Sequence, residues 1–373
     1  MKIAWISKIG WDMPHKTSRL KMSNALRKRN NDIKLYMVKN FREKIDTLDY
    51  INCIPTIKIP ILSGLFYGLI VFFYFPILFK KQNFDVILID GTKVWLPFII
   101  PLKMLRKKII LDIRTLPIDK NKLLSFNIIM FLSRYIVNGI TTITPELKKT
   151  IQKNYNLEKM KIGLWSSGVS LEDFDIASKI ENNYFTKKNR LLYHGDYSPT
   201  RGIENLISSI SKLDRTIRNN LELIIIGIPE NKINKLKILC EKEGVEKEIK
   251  ILPKVSYEII SKYIKESDIG VIPLPPENKW WRVSAPLKTL EYLASSKPII
   301  ATNIPFHERI FKKGNCGKLI KSGSPEAIAD AINEIFKNKE KLKEMGLKGR
   351  KIVEKYYTWA IMAEKFEIFL KTI

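Results

Sequence analysis

The sequence has few residues suited to holding a metal ion, with only three cysteines and three histidines among 373 residues. The cysteines are far apart and form no CxxC pair, and their odd number suits reduced cytoplasmic thiols rather than a disulfide framework. No two of His15, His194 and His307 have metal-ligand spacing. We therefore expect a protein with no metal site and no resident cofactor.

Acidic residues are also scarce: 38 Asp and Glu stand against 65 Lys and Arg, which gives a formal net charge of +27. This excess favours an anionic partner such as a phosphorylated small molecule or an anionic lipid. No basic tail, RNA-recognition motif or zinc finger accompanies the charge, so nucleic acid is not expected. The sequence also lacks a complete GxGxxG or P-loop, which disfavours a simple NAD dehydrogenase or an ATPase.

The N-terminal stretch MKIAWISKIG lacks the charged head and long apolar middle of a signal peptide, so we expect a cytoplasmic protein. One long hydrophobic run, Ile59 to Phe79, has about the length of a membrane span. Two prolines and two glycines interrupt it, and a strand pattern follows at once. The pattern favours a helix that packs on a sheet and places one face against the inner surface of the membrane; a true span is the alternative.

Short β-branched runs alternate with helical stretches along the chain, and the alternation restarts after Gly168. This pattern predicts an α/β protein with two Rossmann-like, doubly wound parallel-sheet domains facing each other across a cleft. The expected parts are a first domain at 1–168, a hinge at 169–188 and a second domain at 189–355. The C-terminal helix, 356–373, is expected to pack back on the first domain. Ligands of such sheets bind at the carboxyl ends of the strands.

Two loops of the second domain carry suitable polar residues at such strand ends. After the strand 191–194, Gly195 permits close approach of the backbone, and Arg201 stands where a cation can pair with a diphosphate. Further on, Lys288 and Glu291 follow Pro286 near the start of a helix and share one face. A carboxylate there can accept hydrogen bonds from both ribose hydroxyls. The plain alternative is a solvated Arg and a surface ion pair worth roughly 0.2–0.5 kcal/mol.

These segments resemble the GT-B glycosyltransferases, in particular the retaining family 4, also described as glycosyl transferases group 1. The stretch APLKTLEY at 285–292 is similar to that family's P-x-K-x-x-E-Y pattern, and KPIIATNIP at 297–305 to its G-K-P-V-I-A-T-D-I-P. The loop 195–202 resembles its G-R-L-x-x-x-K-G. The similarity runs along nearly the whole chain and is strongest in the second half.

The resemblance implies an enzyme that moves a sugar from a nucleoside diphosphate sugar to an acceptor hydroxyl. It implies retention of configuration, no metal, and a role in making cell-surface polysaccharide or glycoconjugate. Glu291 would bind the ribose, Arg201 the diphosphate with help from Lys288, and the loop 280–285 would face the sugar and phosphates. The implied donor-binding residues are Gly195, Arg201, Gly227, Arg282, Ser284, Lys288 and Glu291, and the implied catalytic residues are Arg201, Lys288, Glu291 and Arg114.

The sequence departs from the family pattern at three places. Val283 replaces the first carboxylate of the usual Glu-x7-Glu pair, and Asp196 replaces the first cation of the G-R loop, a loss that Arg282 is hypothesised to offset. Arg114 stands where the family's first domain carries a histidine. These departures keep two alternatives open: a nucleotide-sugar 2-epimerase of the same fold, and a catalytically inactive nucleotide- or glycan-binding homologue.

The acceptor is expected on the first domain. Asp112 and Arg114 end a central strand, and we predict a substrate role for them. His15 and Arg19 follow the first strand and either touch the acceptor or are solvated loop residues. The net charge and the apolar run favour a glycan or lipid-linked acceptor at an anionic membrane surface. The donor base, the sugar and the acceptor itself stay open.

Overall fold

The computed structural model describes residues 1–10, 16–40, 48–56, 72–73, 75, 77–91, 102–103, 106–117, 120–175 and 188–373. The chain divides into two compact units. Unit 1 comprises residues 1–167 and 359–373, and unit 2 comprises residues 168–358.

Unit 1 is built on a seven-stranded sheet in the order β3-β2-β1-β4-β5-β6-β7, in which every pairing is parallel. The central strands are almost continuous runs of Ile, Leu and Val because helices cover both faces of the sheet. The register sets Asp90 directly beside Asp112. The strands are β1 (Lys2–Gly10), β2 (Asp32–Asn40), β3 (Ile51–Thr56), β4 (Val86–Asp90), β5 (Lys108–Ile113), β6 (Gly139–Thr142) and β7 (Ile162–Leu164).

Four helices of unit 1 have defined bounds: α1 (Lys16–Arg27), α2 (Lys120–Ile136), α3 (Pro145–Tyr155) and, from the C-terminal stretch of the chain, α13 (Trp359–Lys371). Residues 77–82 are also helical. Helix α13 packs against α1 and buries Phe366 between Trp5 and Trp165, with the rings of Phe366 and Trp165 stacked at 5.3 Å. This aromatic cluster holds the last helix of the chain on the unit formed by its first 167 residues.

Unit 2 contains a six-stranded parallel sheet in the order β10-β9-β8-β11-β12-β13. Its strands are β8 (Asn189–His194), β9 (Leu221–Ile226), β10 (Ile249–Leu252), β11 (Ile269–Ile272), β12 (Ile299–Thr302) and β13 (Gly317–Ile320). Its helices are α4 (Glu172–Asp175), α5 (Ile203–Ser211), α6 (Arg215–Asn219), α7 (Glu230–Glu243), α8 (Tyr257–Glu266), α9 (Leu287–Ala294), α10 (Pro305–Phe311), α11 (Pro325–Lys337) and α12 (Leu342–Tyr356).

The prediction of two Rossmann-like parallel sheets is confirmed. The short β-branched runs did not reveal β3 and β7, which lie at the two sheet edges and contain Pro55 and Gly163 respectively. The apolar run 59–79 lies largely outside the described residues. None of the helices within the described ranges has both the length and the hydrophobicity needed to cross a bilayer.

Candidate functional site

Two strand ends of unit 2 meet at backbone positions with positive φ. Gly195 follows β8 with φ +132°, and Gly227 follows β9 with φ +102°. A Cβ on Gly227 would lie 2.6 Å from the carbonyl oxygen of Gly195, and a Cβ on Gly195 would lie 2.8 Å from the Lys288 ammonium nitrogen. Glycine is the residue that tolerates such a backbone without steric strain. The two loops and Lys288 therefore converge at the carboxyl edge of this sheet.

Helix α9 brings Lys288 and Glu291 into that edge. Every residue from Lys288 to Ala294 is buried, and Lys288 and Glu291 are each only 7% exposed. The helix follows Pro286, whose fixed φ suits a helix start. The alternative of a solvent-exposed ion pair is wrong, because tertiary packing covers the face on which the two charged residues lie.

Lys288 is a buried amine for which a positive charge is poorly compensated by the surrounding residues. Its Nζ makes no hydrogen bond to any of the described residues and lies 4.0 Å from the centre of the Tyr193 ring. Burial lowers the pKa of Lys288 well below its usual value, and Arg201 lowers it further, whereas Glu291 and Asp196 oppose the shift. A buried ammonium group is unfavourable unless an anion approaches it.

Glu291 is held from two sides. Its carboxylate accepts a hydrogen bond from the Tyr257 hydroxyl and lies 3.4 Å from Nε2 of His194. Burial raises the pKa of Glu291 to about 7, Asp173 adds to the rise, and Lys288 and Tyr257 oppose it. Burial and Lys288 lower the pKa of His194 well below its usual value, so His194 is neutral beside Glu291 rather than its ion-pair partner.

His194 and Tyr257 are site residues that the sequence did not single out. His194 is the last residue of β8 and directly precedes Gly195, so its position at a strand end was the available signal. Tyr257 begins α8 and packs edge-on against Phe174 of α4, with ring centres 6.1 Å apart. Nothing in its local sequence indicates that it reaches Glu291, since the contact depends on how α8 packs against α9.

Arg201 ends a short 3-10 turn that begins at Pro199. Its guanidinium carbon lies 5.4 Å from the centre of the Trp281 ring. The Trp281 indole N–H donates to the carbonyl of Thr200 at 2.7 Å. Trp281 is buried and stacks on Trp280, with ring centres 5.2 Å apart and planes 13° from parallel. Trp281 thus acts as a packing group that fixes the Arg201 loop.

The other residues expected around the donor occupy different surroundings. Arg282 is exposed on the turn 281–283, and Ser284 donates its hydroxyl to the carbonyl of Trp280 at 2.8 Å. Val283 is buried, and its apolar side chain stands where the family pattern has a carboxylate. Asp196 is exposed. Arg201 and Glu291 both lie close enough to Lys288 to shift its pKa, in opposite directions.

A second buried charged cluster lies in unit 1, where β1, β4 and β5 end. The Arg19 guanidinium lies 3.1 Å from the carboxylate of Asp90 and 3.8 Å from that of Asp112. Asp90 also accepts hydrogen bonds from the Trp5 indole and the Ser7 hydroxyl. Arg19 is 7% exposed, so it is not a solvated loop residue. Asp90 and Ser7 were missed by the sequence analysis.

Asp112 and Arg114 lie next to this cluster. Asp112 accepts a hydrogen bond from the Thr141 hydroxyl at 2.7 Å, and burial raises its pKa against the effects of Arg114 and Arg19. The Arg114 guanidinium lies 3.5 Å from the centre of the Trp165 ring and donates to the Trp165 carbonyl at 2.7 Å. Burial lowers the pKa of Arg114 to about 9, and Asp112 opposes the shift. His15 lies outside the described residues.

The described ranges contain no group of three or more His, Cys, Asp or Glu side chains arranged to hold a metal ion. The charged groups at the carboxyl edge of the unit 2 sheet are instead cations, Lys288 and Arg201, next to the carboxylate of Glu291. Such a set matches a ligand that carries phosphate groups and hydroxyl groups.

The architecture is that of the GT-B fold. The structure of HepE from Anabaena, solved in complex with UDP, superimposes with a TM-score of 0.75 at 13% identity, covering 100% of each chain. Residues 175–352 match the sequence profile of the family described as glycosyl transferases group 1. Over these residues, which make up most of unit 2, the chain is similar to that family.

Two curated relatives extend this likeness. An uncharacterized glycosyltransferase of Methanocaldococcus jannaschii is 23% identical over 243 residues, which cover 63% of this chain and 60% of the relative. CapM of Staphylococcus aureus, a capsular polysaccharide biosynthesis glycosyltransferase, is 26% identical over 252 residues, covering 65% of this chain and 63% of CapM. The chain thus spans somewhat less than two thirds of the length of these relatives.

Proposed function

We propose that this protein transfers a sugar from a nucleoside diphosphate sugar to an acceptor hydroxyl, and that unit 2 binds the donor. The observation that carries the proposal is the buried Lys288 ammonium group, which makes no hydrogen bond within the described residues and faces the glycine-lined ends of β8 and β9. A diphosphate bound there supplies the anionic partner that the Lys288 ammonium group lacks. Arg201, on the adjoining loop, supplies a second cation.

The roles of the residues follow from charge and reach. Glu291, once ionised, accepts hydrogen bonds from the two ribose hydroxyls, and Tyr257 holds it in place. The backbone at Gly195 and Gly227 lets phosphate oxygens approach the chain closely. In this proposal, Lys288 and Arg201 stabilise the charge that develops on the leaving diphosphate as the glycosidic bond breaks. Because two protein cations supply that charge, we propose a metal-independent reaction. Retention of configuration is proposed on the resemblance to the retaining family alone.

The names of similar proteins support a narrower proposal for the donor and for the pathway. HepE was solved with UDP, which supports a nucleoside diphosphate sugar as the donor. The name of CapM supports a role in capsular or another cell-surface polysaccharide. The acceptor is a glycan or lipid-linked glycan, which we propose to be reached from the cytoplasmic side of the membrane. Arg114, which follows β5 of unit 1 and is only partly buried, is the residue proposed to face it, whereas Arg19 and Asp112 are buried in the charged cluster beside it.

A thermal-shift panel of UDP-, GDP-, ADP- and CMP-sugars tests the donor proposal directly. We expect one nucleotide class to raise the melting temperature of the protein, and the Lys288→Met variant to lose that shift. The Lys232→Met variant, in which an exposed lysine of α7 is changed, is the matched control and keeps the shift. If no sugar nucleotide stabilises the wild-type protein, the proposal is wrong.

The buried Val283 favours one second candidate, an inactive nucleotide-binding homologue, because it stands in place of a carboxylate. Assays of the identified donor with and without cell-envelope glycan acceptors separate the candidates. Transfer of radiolabelled sugar to the acceptor supports the proposed enzyme. Binding without turnover supports the inactive homologue, and conversion of the donor sugar without an acceptor identifies a 2-epimerase.

A further inference from the structure

Helix α2 of unit 1 exposes large apolar side chains along one face. Leu124 is 67% exposed, Ile128 44%, Phe131 55% and Tyr135 60%. Their spacing of four, three and four residues places them in one line on a helix of 3.6 residues per turn. We call these four residues the apolar stripe. The opposite face of α2, which includes Phe126 and Met130, is buried.

A helix on the surface of a water-soluble unit normally pairs a buried apolar face with a polar exposed face. Helix α2 departs from this pattern, since it is apolar on both faces and contains no Asp or Glu. Helix α7 of unit 2 follows the usual pattern: Leu236 and Cys240 are buried, and most of its exposed residues are polar or charged. A continuous exposed apolar face of this kind marks a surface that contacts something other than water.

The apolar stripe has neighbours on the same side of the sheet. Phe73 and Ile77 are 64% and 72% exposed. Between and after them, Phe75 and Phe79 belong to a buried cluster against which Ile136 of α2 packs. The segment around 72–82 and helix α2 therefore cover the same face of the unit 1 sheet.

Several basic residues adjoin these apolar side chains. Lys80, Lys81 and Arg106 are exposed, and the exposed Lys103 donates a hydrogen bond to the carbonyl of Tyr135. At the end of α2, Arg134 lines a groove of about 380 Å³ whose other lining residues include Lys159 and Lys161. Residues 72–137 contain eleven Lys and Arg but only four Asp and Glu, and two of those acids are the buried Asp90 and Asp112.

We propose that unit 1 docks on an anionic lipid bilayer through the apolar stripe together with Phe73 and Ile77. In this arrangement the apolar side chains enter the boundary of the acyl chains, while the surrounding lysines and Arg134 lie among the lipid phosphates. Charge complementarity selects a bilayer with negative headgroups, since Lys80, Lys81, Lys103 and Arg134 lie beside the exposed apolar side chains. The inference deepens the proposed function, on which it rests for a membrane-borne acceptor, but its test does not require turnover.

Vesicle flotation of the full chain is the test. We expect the wild-type protein to float with phosphatidylcholine vesicles that contain phosphatidylglycerol, and to bind pure phosphatidylcholine vesicles much more weakly. The Leu124→Gln/Phe131→Gln variant is expected to bind the anionic vesicles at least about tenfold more weakly, because two inserted apolar groups are lost. The matched control is Ile238→Gln/Ile368→Gln, whose residues are 57% and 59% exposed elsewhere on the protein, and it floats like the wild type.

A second variant pair tests the electrostatic half of the proposal. Lys80→Gln/Lys81→Gln is expected to reduce flotation with anionic vesicles by several fold and to weaken its dependence on salt. The control Lys343→Gln/Lys351→Gln changes two exposed lysines of α12 in unit 2 and leaves flotation unchanged. The single variant Leu124→Gln, at a largely solvent-exposed position, tests the apolar stripe with little risk to folding.

Several results would contradict the proposed docking of unit 1 on a bilayer. The proposal fails if the wild-type protein does not float with anionic vesicles, or if the apolar-stripe variants float as it does. It also fails if the apolar stripe joins two copies of the chain, seen as a dimer in solution that Phe131→Gln splits and that binds no vesicles. The donor-induced thermal shift is measured on every variant, so that loss of membrane binding is distinguished from failure of the donor site.

Discussion

The two units each bury a group of charged side chains at the carboxyl edge of a parallel sheet, but they balance the charge differently. In unit 1, Arg19 is paired with Asp90 and lies near Asp112, and further donors complete the contacts of Asp90. In unit 2, the Lys288 ammonium makes no hydrogen bond among the described residues. A buried charge with partners is held in place by the fold, whereas one without them favours the approach of an oppositely charged ligand.

The difference separates residues that keep a unit folded from residues that bind. We expect removal of the Arg19 charge from the unit 1 cluster to lower stability, because the buried carboxylates are then left without their cation. Removal of the Lys288 charge should instead weaken donor binding while leaving stability unchanged or higher. Five predictions test this distinction, in order of decreasing expected effect.

The largest effect is expected from Arg19→Ala. The variant leaves Asp90 and Asp112 buried without their common cation, so we expect the free energy of unfolding of unit 1 to fall by roughly 3–5 kcal/mol. Chemical denaturation followed by circular dichroism measures it. The control is Arg27→Ala, whose partner Asp49 is largely exposed, and which should lower the free energy by less than about 1 kcal/mol. Equal losses in the two variants would mean that burial of the unit 1 cluster does not raise the cost of removing its cation.

Lys288→Met is expected to weaken binding of the identified nucleotide about 100-fold, because the buried ammonium group is lost from the diphosphate site. Its free energy of unfolding should not fall, since an uncompensated buried cation is replaced by an apolar side chain of similar length. Isothermal titration calorimetry and denaturation measure the two quantities. The Lys232→Met control leaves both unchanged. A destabilised Lys288→Met protein would mean that Lys288 is a structural residue like Arg19.

The pH dependence of stability should reveal the titration of the Glu291 carboxyl group. Its folded-state pKa of about 7 is above the usual 4.5, so the folded protein binds the extra proton between these values. The stability contributed by protonated Glu291 is therefore present below about pH 4.5 and lost as the pH rises through 7, a loss of roughly 2–3 kcal/mol. Glu291→Gln should lack this decline, measured by denaturation at pH 5 to 8. Parallel pH profiles for the two proteins would contradict a raised pKa of Glu291.

Nucleotide affinity should change in the opposite direction with pH. Ionised Glu291 is the form that accepts from both ribose hydroxyls, so affinity for the identified nucleotide should rise as the pH approaches and passes 7. Calorimetric titrations across this range measure the midpoint. Glu291→Gln should bind weakly and without that rise, which distinguishes ionisation of this carboxylate from a general effect of pH on the protein.

Tyr257→Phe is expected to give the smallest effect. Removing the hydroxyl that donates to Glu291 should raise the pKa of this carboxylate further, which moves the midpoint of the affinity profile upward by up to about one pH unit. Tyr263→Phe, on the same helix α8, is the control and should leave the midpoint unchanged. A loss of affinity with an unmoved midpoint would show that Tyr257 supports the site only by packing.

The amino-acid sequence predicted the repeated parallel sheets because strands buried on both faces read as short runs of Ile, Leu and Val between helices. It also predicted a donor site at Arg201, Lys288 and Glu291. These residues lie in short segments whose local spacing resembles the family's motifs, and such spacing can be recognised without the tertiary structure. The structure places the three residues near one another, and their roles in binding stay predictions. Arg282 was expected to join them, but its side chain is exposed. The spacing of residues along the chain does not reveal whether a side chain is exposed.

Other features depended on packing between elements distant in the sequence. The pairing of β4 with β5 sets Asp90 beside Asp112, and α1 then places Arg19 against both carboxylates. The packing of α8 on α9 brings the Tyr257 hydroxyl to Glu291. Hydrophobicity alone gave helix α2 two apolar faces, and only the tertiary structure decided which was buried and which was exposed. Local pattern thus determined the elements and their charged residues, while burial and partnership, which depend on long-range contacts, decided which charges are balanced.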